Sequence, residues 1–104
     1  MTRTQDGIDR FRRPEYRRLL AAARRSLEHT GGDLSRSVAV SSPSEAERKA
    51  IINVTGHYRL PVAGRVSVRL ADLDEAIREA TGLTLGDLLA EFGDLGRSVV
   101  RGKA

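Results

Sequence analysis

The sequence has no cysteine and no tryptophan, and only four of its 104 residues are aromatic. Without cysteine, a disulfide framework and a thiolate metal site are both excluded. With so few aromatic side chains, we expect a core built mainly from Leu, Ile, Val and Ala. Hydrophobic residues make up 39% of the chain and charged residues 31%. This balance and length are typical of one globular domain.

Long apolar runs are also missing. No stretch approaches the roughly 20 apolar residues that span a bilayer. The segment 1–13 is polar and charged, so it does not have the apolar centre of a secretory signal. We therefore expect a cytoplasmic protein that makes no membrane contact.

Positive charge is in excess, and it is concentrated at one end of the chain. The net charge is +4, and sixteen of the eighteen basic residues are Arg. Residues 1–36 hold nine Arg and five acids, whereas residues 37–104 hold nine basic and nine acidic residues. Arginine is suited to bidentate phosphate contact. The alternative explanation is a GC-rich genome, which favours Arg codons over Lys codons.

The hydrophobic periodicity predicts an α+β fold, mostly α, with about four short helices and a small two-strand element. The predicted helices run from Pro14 to the Gly31-Gly32 pair, from Pro43 to about Thr55, over 71–81 and over 85–92. The predicted strands are 38–40 and 65–70, and their pairing is left open. We divide the chain into a basic arm (1–12), a single helical domain (13–95) and a tail (96–104).

Local signals mark the ends of these elements. Ser42 is predicted to cap the second helix, with Pro43 in its first position and Glu45 completing a capping box. Thr84 is predicted to cap the last helix. The apolar seam of that helix has i, i+3, i+4, i+7 spacing, which is typical of a core-facing stripe. The seam consists of Leu85, Leu88, Leu89 and Phe92.

No residue pattern predicts catalysis, a metal site, a cofactor or a small-molecule substrate. His29 falls in the last turn of the first predicted helix, and His57 has no carboxylate or second His at ligand spacing. The acidic residues Asp72, Asp74 and Glu75 fall in a first helical turn, where negative charge offsets the helix dipole. We therefore predict that the chain is not an enzyme by itself.

One feature predicts a function, namely the arginines on the first predicted helix and its approach. These residues have the chemistry for phosphate contacts with double-stranded DNA. Two other interpretations remain open, a solvated helix face and a surface for an acidic protein partner. The predicted nucleic-acid-binding residues are Arg10, Arg12, Arg13, Arg17, Arg18, Arg24 and Arg25.

Four segments, in order, resemble a known family. They are RPEYRRLLAAAR (13–24), SEAERKAI (44–51), RVSVRLADLDEAIR (65–78) and TGLTLGDLL (81–89). This order is similar to the N-terminal region of the nuclease subunit of the bacterial Wadjet system, the JetD type, in its actinobacterial branch. The resemblance covers about residues 8–95.

The resemblance implies a role in defence against plasmid DNA, beside an SMC-like motor complex. Subunits of this type resemble the A subunit of topoisomerase VI, and their metal-dependent cleavage belongs to a C-terminal Toprim domain. This chain has no counterpart of the acidic Toprim cluster, so no catalytic residue carries over. We expect a front part of such a subunit, whether from a truncated frame, a split gene or a stand-alone relative.

The first functional hypothesis is therefore a non-catalytic module that lies near DNA or docks with subunits of an SMC-like complex. A second hypothesis is a small stand-alone regulator with a winged-helix-like core, although acids dominate the outer face of the third predicted helix. A third is a protein-interaction domain that exposes the apolar seam of the last helix and has no nucleic-acid role.

Overall fold

The computed structural model of the chain describes residues 3–55 and 64–93. The fold is α+β and mostly α, as predicted, with a two-stranded antiparallel sheet. In chain order, the elements of the described part are α1 (Arg3–Phe11), a 3-10 turn (Pro14–Tyr16), α2 (Arg17–Thr30), β1 (Ser37–Ser41), α3 (Glu45–Thr55), β2 (Arg65–Arg69), α4 (Leu70–Thr81) and α5 (Leu85–Glu91). The predicted loop after residue 55, His57 and the tail over 96–104 lie outside the described residues.

Helix α1 is the element that the sequence analysis missed, so the predicted count of four helices was wrong. It occupies most of the segment that we assigned to a basic arm, and it packs against α4. Ile8 and Phe11 enter the core. Gly7 faces α4 so closely that a Cβ there would overlap the Ala80 carbonyl oxygen. Two apolar residues give little periodicity, so the contact with α4, rather than the local pattern, stabilises this helix.

Helix α2 follows the prediction from Arg17 onward, but the first predicted residues, Pro14–Tyr16, form the 3-10 turn instead. Leu19, Leu20 and Ala23 are buried on its inner face. The helix ends at Gly31, whose φ of 71° is the left-handed conformation that glycine adopts without strain. Just before the helix, the ring of Tyr16 packs on that of Phe11 with centroids 5.0 Å apart. This contact joins the 3-10 turn to α1.

The two strands form a β-ribbon whose inner face is entirely valine. Val38 is paired with Val68, and Val40 is paired with Val66. Both strands alternate exposed and buried residues along their whole length. The half-buried character predicted for 65–70 is therefore confirmed, and the valine face packs into the core.

The start of α3 corrects the predicted cap. Ser44, not Ser42, is the capping residue: its Oγ accepts the Glu47 N–H at 3.1 Å, and Glu47 Oε1 accepts the Ser44 N–H at 2.8 Å. Ser42 has a φ of 45°, and its N–H donates to the Gly64 carbonyl as part of the ribbon. Because that hydrogen bond holds Ser42 at the end of the ribbon, the capping box forms two residues further along.

Helices α4 and α5 are joined by a buried carboxylate. Asp74 is 7% exposed, and its Oδ1 accepts the Leu85 N–H at 2.8 Å. The predicted cap is confirmed, since Thr84 Oγ1 accepts the Asp87 N–H at 3.1 Å. The apolar seam of α5 is buried in the core, as its spacing favoured.

The close approach of α1 to α4 at Gly7 gives a test of the fold. Replacing Gly7 with Ala should lower the free energy of unfolding by about 1–3 kcal/mol, because the new methyl group must displace backbone. The matched control is Gly86→Ala in α5, where a Cβ meets no atom within 4 Å. This control should raise stability by about 0.5–1 kcal/mol through helix propensity.

Both variants are measured by urea unfolding followed by circular dichroism. If Gly7→Ala matched or exceeded the wild-type stability, the packing of α1 on α4 would be wrong.

Candidate nucleic-acid interface

The seven predicted arginines do not form one uniform basic surface. Three lie in or just after α1, and four lie on α2. Six of the seven are exposed, and Arg24 is half-buried. They differ in the hydrogen bonds, ion pairs and ring contacts that each guanidinium group already forms within the chain.

Arg18 is engaged most fully. Its Nε and Nη2 each donate to the Glu47 carboxylate at 2.9 Å, and Nη2 also donates to the Ser41 carbonyl at 3.0 Å. This side chain therefore joins α2 to the end of β1 and the start of α3. A phosphate group would have to compete with a bidentate ion pair, which is among the strongest protein hydrogen-bond arrangements.

The same contacts determine the ionisation of Glu47. Its side-chain hydrogen bond with Arg18 comes first, and the Ser44 N–H adds to it, so the pKa of Glu47 falls to about 2 although partial burial opposes the shift. The pKa of Arg18 is raised, chiefly by its hydrogen bond with Glu47. Both partners therefore stay charged at neutral pH.

Arg24 and Arg12 lie at the C-terminal end of α5. Arg24 Nη2 donates to the Leu89 carbonyl at 2.7 Å, and its Nη1 donates to the Gly93 carbonyl at 3.0 Å. Carbonyl groups at the C-terminal end of a helix carry partial negative charge, so a cation here stabilises the end of α5. The Arg12 guanidinium carbon lies 4.9 Å from the centroid of the Phe92 ring, within range of a cation–π contact.

The other predicted arginines are more open to solvent. Arg10 Nε donates to the Tyr16 hydroxyl at a long 3.4 Å, and Arg13 lies 4.0 Å from the Glu15 carboxylate. Arg17 is exposed on α2. Arg25 is exposed and forms no ion pair with any residue that the structure describes.

A second basic surface was not predicted. It is the outer side of the β-ribbon, which we call the ribbon face, and every residue on it is exposed. Arg65 and Arg69 lie at its two ends, and within the described ranges neither forms an ion pair. No acidic residue belongs to this face. Its members are Ser37, Ala39, Ser41, Arg65, Ser67 and Arg69.

The signal for the ribbon face was present in the sequence. The alternation RVSVR over 65–69 and SVAVS over 37–41 places every polar residue on one side once the valines are buried. Residues 37–104 have no net charge when summed along the chain, so the sum does not reveal the local excess of positive charge on this face.

Asp72, Asp74 and His29, which have the chemistry for catalysis or metal binding, lie in helices α4 and α2. Asp74 is held by the Leu85 N–H and by Arg78 Nη1 at 3.3 Å. Asp72 is exposed in the first turn of α4, and His29 is exposed in the last turn of α2. Among the side chains that the structure describes, no group of three or more His, Asp or Glu residues is placed to hold a metal ion.

The ion pair between Arg18 and Glu47 predicts a pH dependence. Because the pKa of Glu47 is about 2 in the fold and about 4.5 ordinarily, the carboxylate stabilises the fold above pH 4.5. This contribution is lost as the pH falls from 4.5 towards 2. Glu47→Gln keeps an oxygen for the Ser44 N–H but removes the charge, so it should be less stable than wild type at pH 7 and nearly equal at pH 2.

Thermal unfolding at pH 7, 4 and 2 measures this difference. Glu45→Gln is the matched control, since Glu45 is exposed and lies 3.8 Å from Lys49. A Glu47→Gln deficit that stays constant with pH would contradict the ion pair.

Comparisons with protein-family models, with curated proteins and with solved structures give no match. In residues 3–55 and 64–93, no helix has both the length and the apolar character needed to cross a bilayer.

Proposed function

We propose that this chain is a non-catalytic module that contacts double-stranded DNA through phosphate groups. The observation that carries the proposal is the set of exposed arginines whose guanidinium groups form neither an ion pair nor a hydrogen bond in the described part of the chain. These are Arg25, Arg65 and Arg69. An exposed guanidinium group without a carboxylate partner can bind a phosphate without breaking an internal contact.

The positions of the three aromatic rings that the structure describes favour a duplex over a single strand. Single-strand binding uses exposed aromatic side chains on which bases stack. Phe11, Tyr16 and Phe92 are all buried here, so none of them offers such a platform. Contacts with the phosphate backbone do not need exposed bases, and they suit the arginines that face solvent.

The resemblance to the JetD type supports a more specific form of the proposal. In that form the module is a docking part of a cytoplasmic plasmid-defence nuclease, and it acts beside subunits of an SMC-like complex. The cleavage chemistry would belong to another domain, and this chain would contribute position on DNA.

The test is binding of a labelled 20-base-pair duplex, measured by fluorescence anisotropy at 50 and 200 mM salt. Three phosphate contacts give a slope of log affinity on log salt near −2.7, so affinity should fall about 40-fold over this range. Two duplexes of unrelated sequence should bind equally, because phosphate contacts do not distinguish bases.

A single strand of the same length serves as the comparison and should bind more weakly. No binding at 50 mM salt, or binding that salt leaves unchanged, would exclude the proposal.

A further inference from the structure

We infer that the ribbon face, rather than the arginine side of α2, is the main phosphate-binding surface, and that Arg65 and Arg69 bind phosphate groups of a DNA duplex. The inference rests on the proposed function and assigns it to a surface that the sequence analysis did not name. Three observations support it: the freedom of these side chains, the rigidity of their backbone and the composition of the surface around them.

The first observation is the difference between the two sets of arginines. On α2, Arg18 is bound to Glu47, and Arg24 is bound to the end of α5. On the ribbon face, both Arg65 and Arg69 are without ion pairs in the described part of the chain. A phosphate at Arg18 or Arg24 would have to displace these internal contacts, which leaves Arg25 as a single unengaged guanidinium on that helix, whereas both arginines of the ribbon face can bind without losing an ion pair within the described ranges.

The second observation is that β2 holds the two arginines at a set separation. They are four residues apart on one strand, so both side chains leave the same side, with Ser67 between them. At about 3.3 Å per residue, their Cα atoms lie about 13 Å apart. The buried valines of β2 hold this backbone, so only the arginine side chains must be ordered on binding.

The third observation is the composition of the ribbon face. Apart from the two arginines it carries only serine and alanine. Serine hydroxyls donate to phosphate oxygens, and these small side chains would let a DNA backbone come close. A two-stranded β-ribbon is narrow enough to enter the major groove, which is about 12 Å wide. The face has no Asn or Gln to read adenine, and equal binding of duplexes of unrelated sequence would show that its arginines contact phosphates rather than guanine.

The same composition argues against an acidic protein as the partner. The residues that dominate binding in stable protein interfaces are mostly Trp, Tyr and Arg, packed in desolvated pockets at the centre of the interface. The ribbon face has no aromatic residue, its two arginines lie at its ends, and Ala39 is its one apolar residue. Its charge is therefore complementary to a polyanion, but it has no central aromatic anchor for a protein.

The experiment compares three variants in the duplex assay, each checked for folding by circular dichroism and thermal unfolding. Arg65→Gln with Arg69→Gln removes two charges from the ribbon face, and Arg17→Gln with Arg25→Gln removes two from α2. Lys49→Glu is the control, because it makes the same charge change at an exposed position of α3.

The ribbon-face variant should lose at least about tenfold in affinity at 50 mM salt, and its salt slope should be shallower by about 1.8. The factor by which affinity falls between 50 and 200 mM salt should therefore be about 12 times smaller for this variant than for the wild type. The control should stay within about threefold of wild type, as expected for an effect of net charge alone. The α2 variant loses the one contact of Arg25, so its salt slope should be shallower by about 0.9 and its loss of affinity should be smaller than that of the ribbon-face variant.

Two results separate the inference from the proposed function. Loss of binding in the α2 variant, with the ribbon-face variant unchanged, would overturn the inference and leave DNA binding in place. Failure of the wild-type chain to bind duplex would overturn both. In a parallel titration, polyglutamate that bound the ribbon face as tightly as duplex at equal salt would identify an acidic-polypeptide surface and would also overturn the inference.

Discussion

The register of the β-ribbon is the constraint on which the rest of the structure depends. Hydrogen bonds flank the ladder at both ends, from the Ser42 N–H to the Gly64 carbonyl and from the Leu70 N–H to the Arg36 carbonyl. Within it, four valines face the helices. A slip of either strand by one residue would turn the two valines of that strand to solvent and its outward side chains to the core. The burial of the valines therefore also decides which residues form the outer surface.

Arginine has two different roles in this small domain. Arg18 and Arg24 bind carboxylate or carbonyl oxygens of other elements and hold α2 to β1, α3 and α5. Arg25, Arg65 and Arg69 face solvent without ion pairs in the described ranges. The chain has few aromatic side chains to bury. The polar contacts of Arg18 and Arg24 therefore help to fix how the helices and strands pack at the edge of the core.

Local patterns predicted much of the fold. The amphipathic stripe of α2, the alternation of β2 and the seam of α5 each had the periodicity of a half-buried element, and each is half-buried. The N-terminal helix was missed because Ile8 and Phe11 alone give a weak pattern, and their burial depends on α4. The cap of α3 was placed two residues early because Ser42 and Ser44 are equivalent as sequence, and only the ribbon distinguishes them.

The candidate site was predicted less well than the fold. The sequence places the arginines of α2 on one helix face, but it could not show that Arg24 is half-buried or that Arg18 and Arg24 have internal partners 29 and 65 residues away. Nor could it show that Asp74 accepts a backbone N–H of the next helix. Such contacts join residues that are distant in the chain, so no local spacing reports them.

By itself, the sequence determined the class of fold, most of the helices and the alternation of the two strands, because these depend on side chains three, four or two residues apart. Tertiary structure decided that α1 forms, that Ser44 caps α3, and which arginines remain open to a ligand. These depend on where distant segments meet. The ribbon face depends on both the local sequence and the tertiary structure. The alternation within each strand determines which residues face outward, and the pairing of β1 with β2 brings them into one surface.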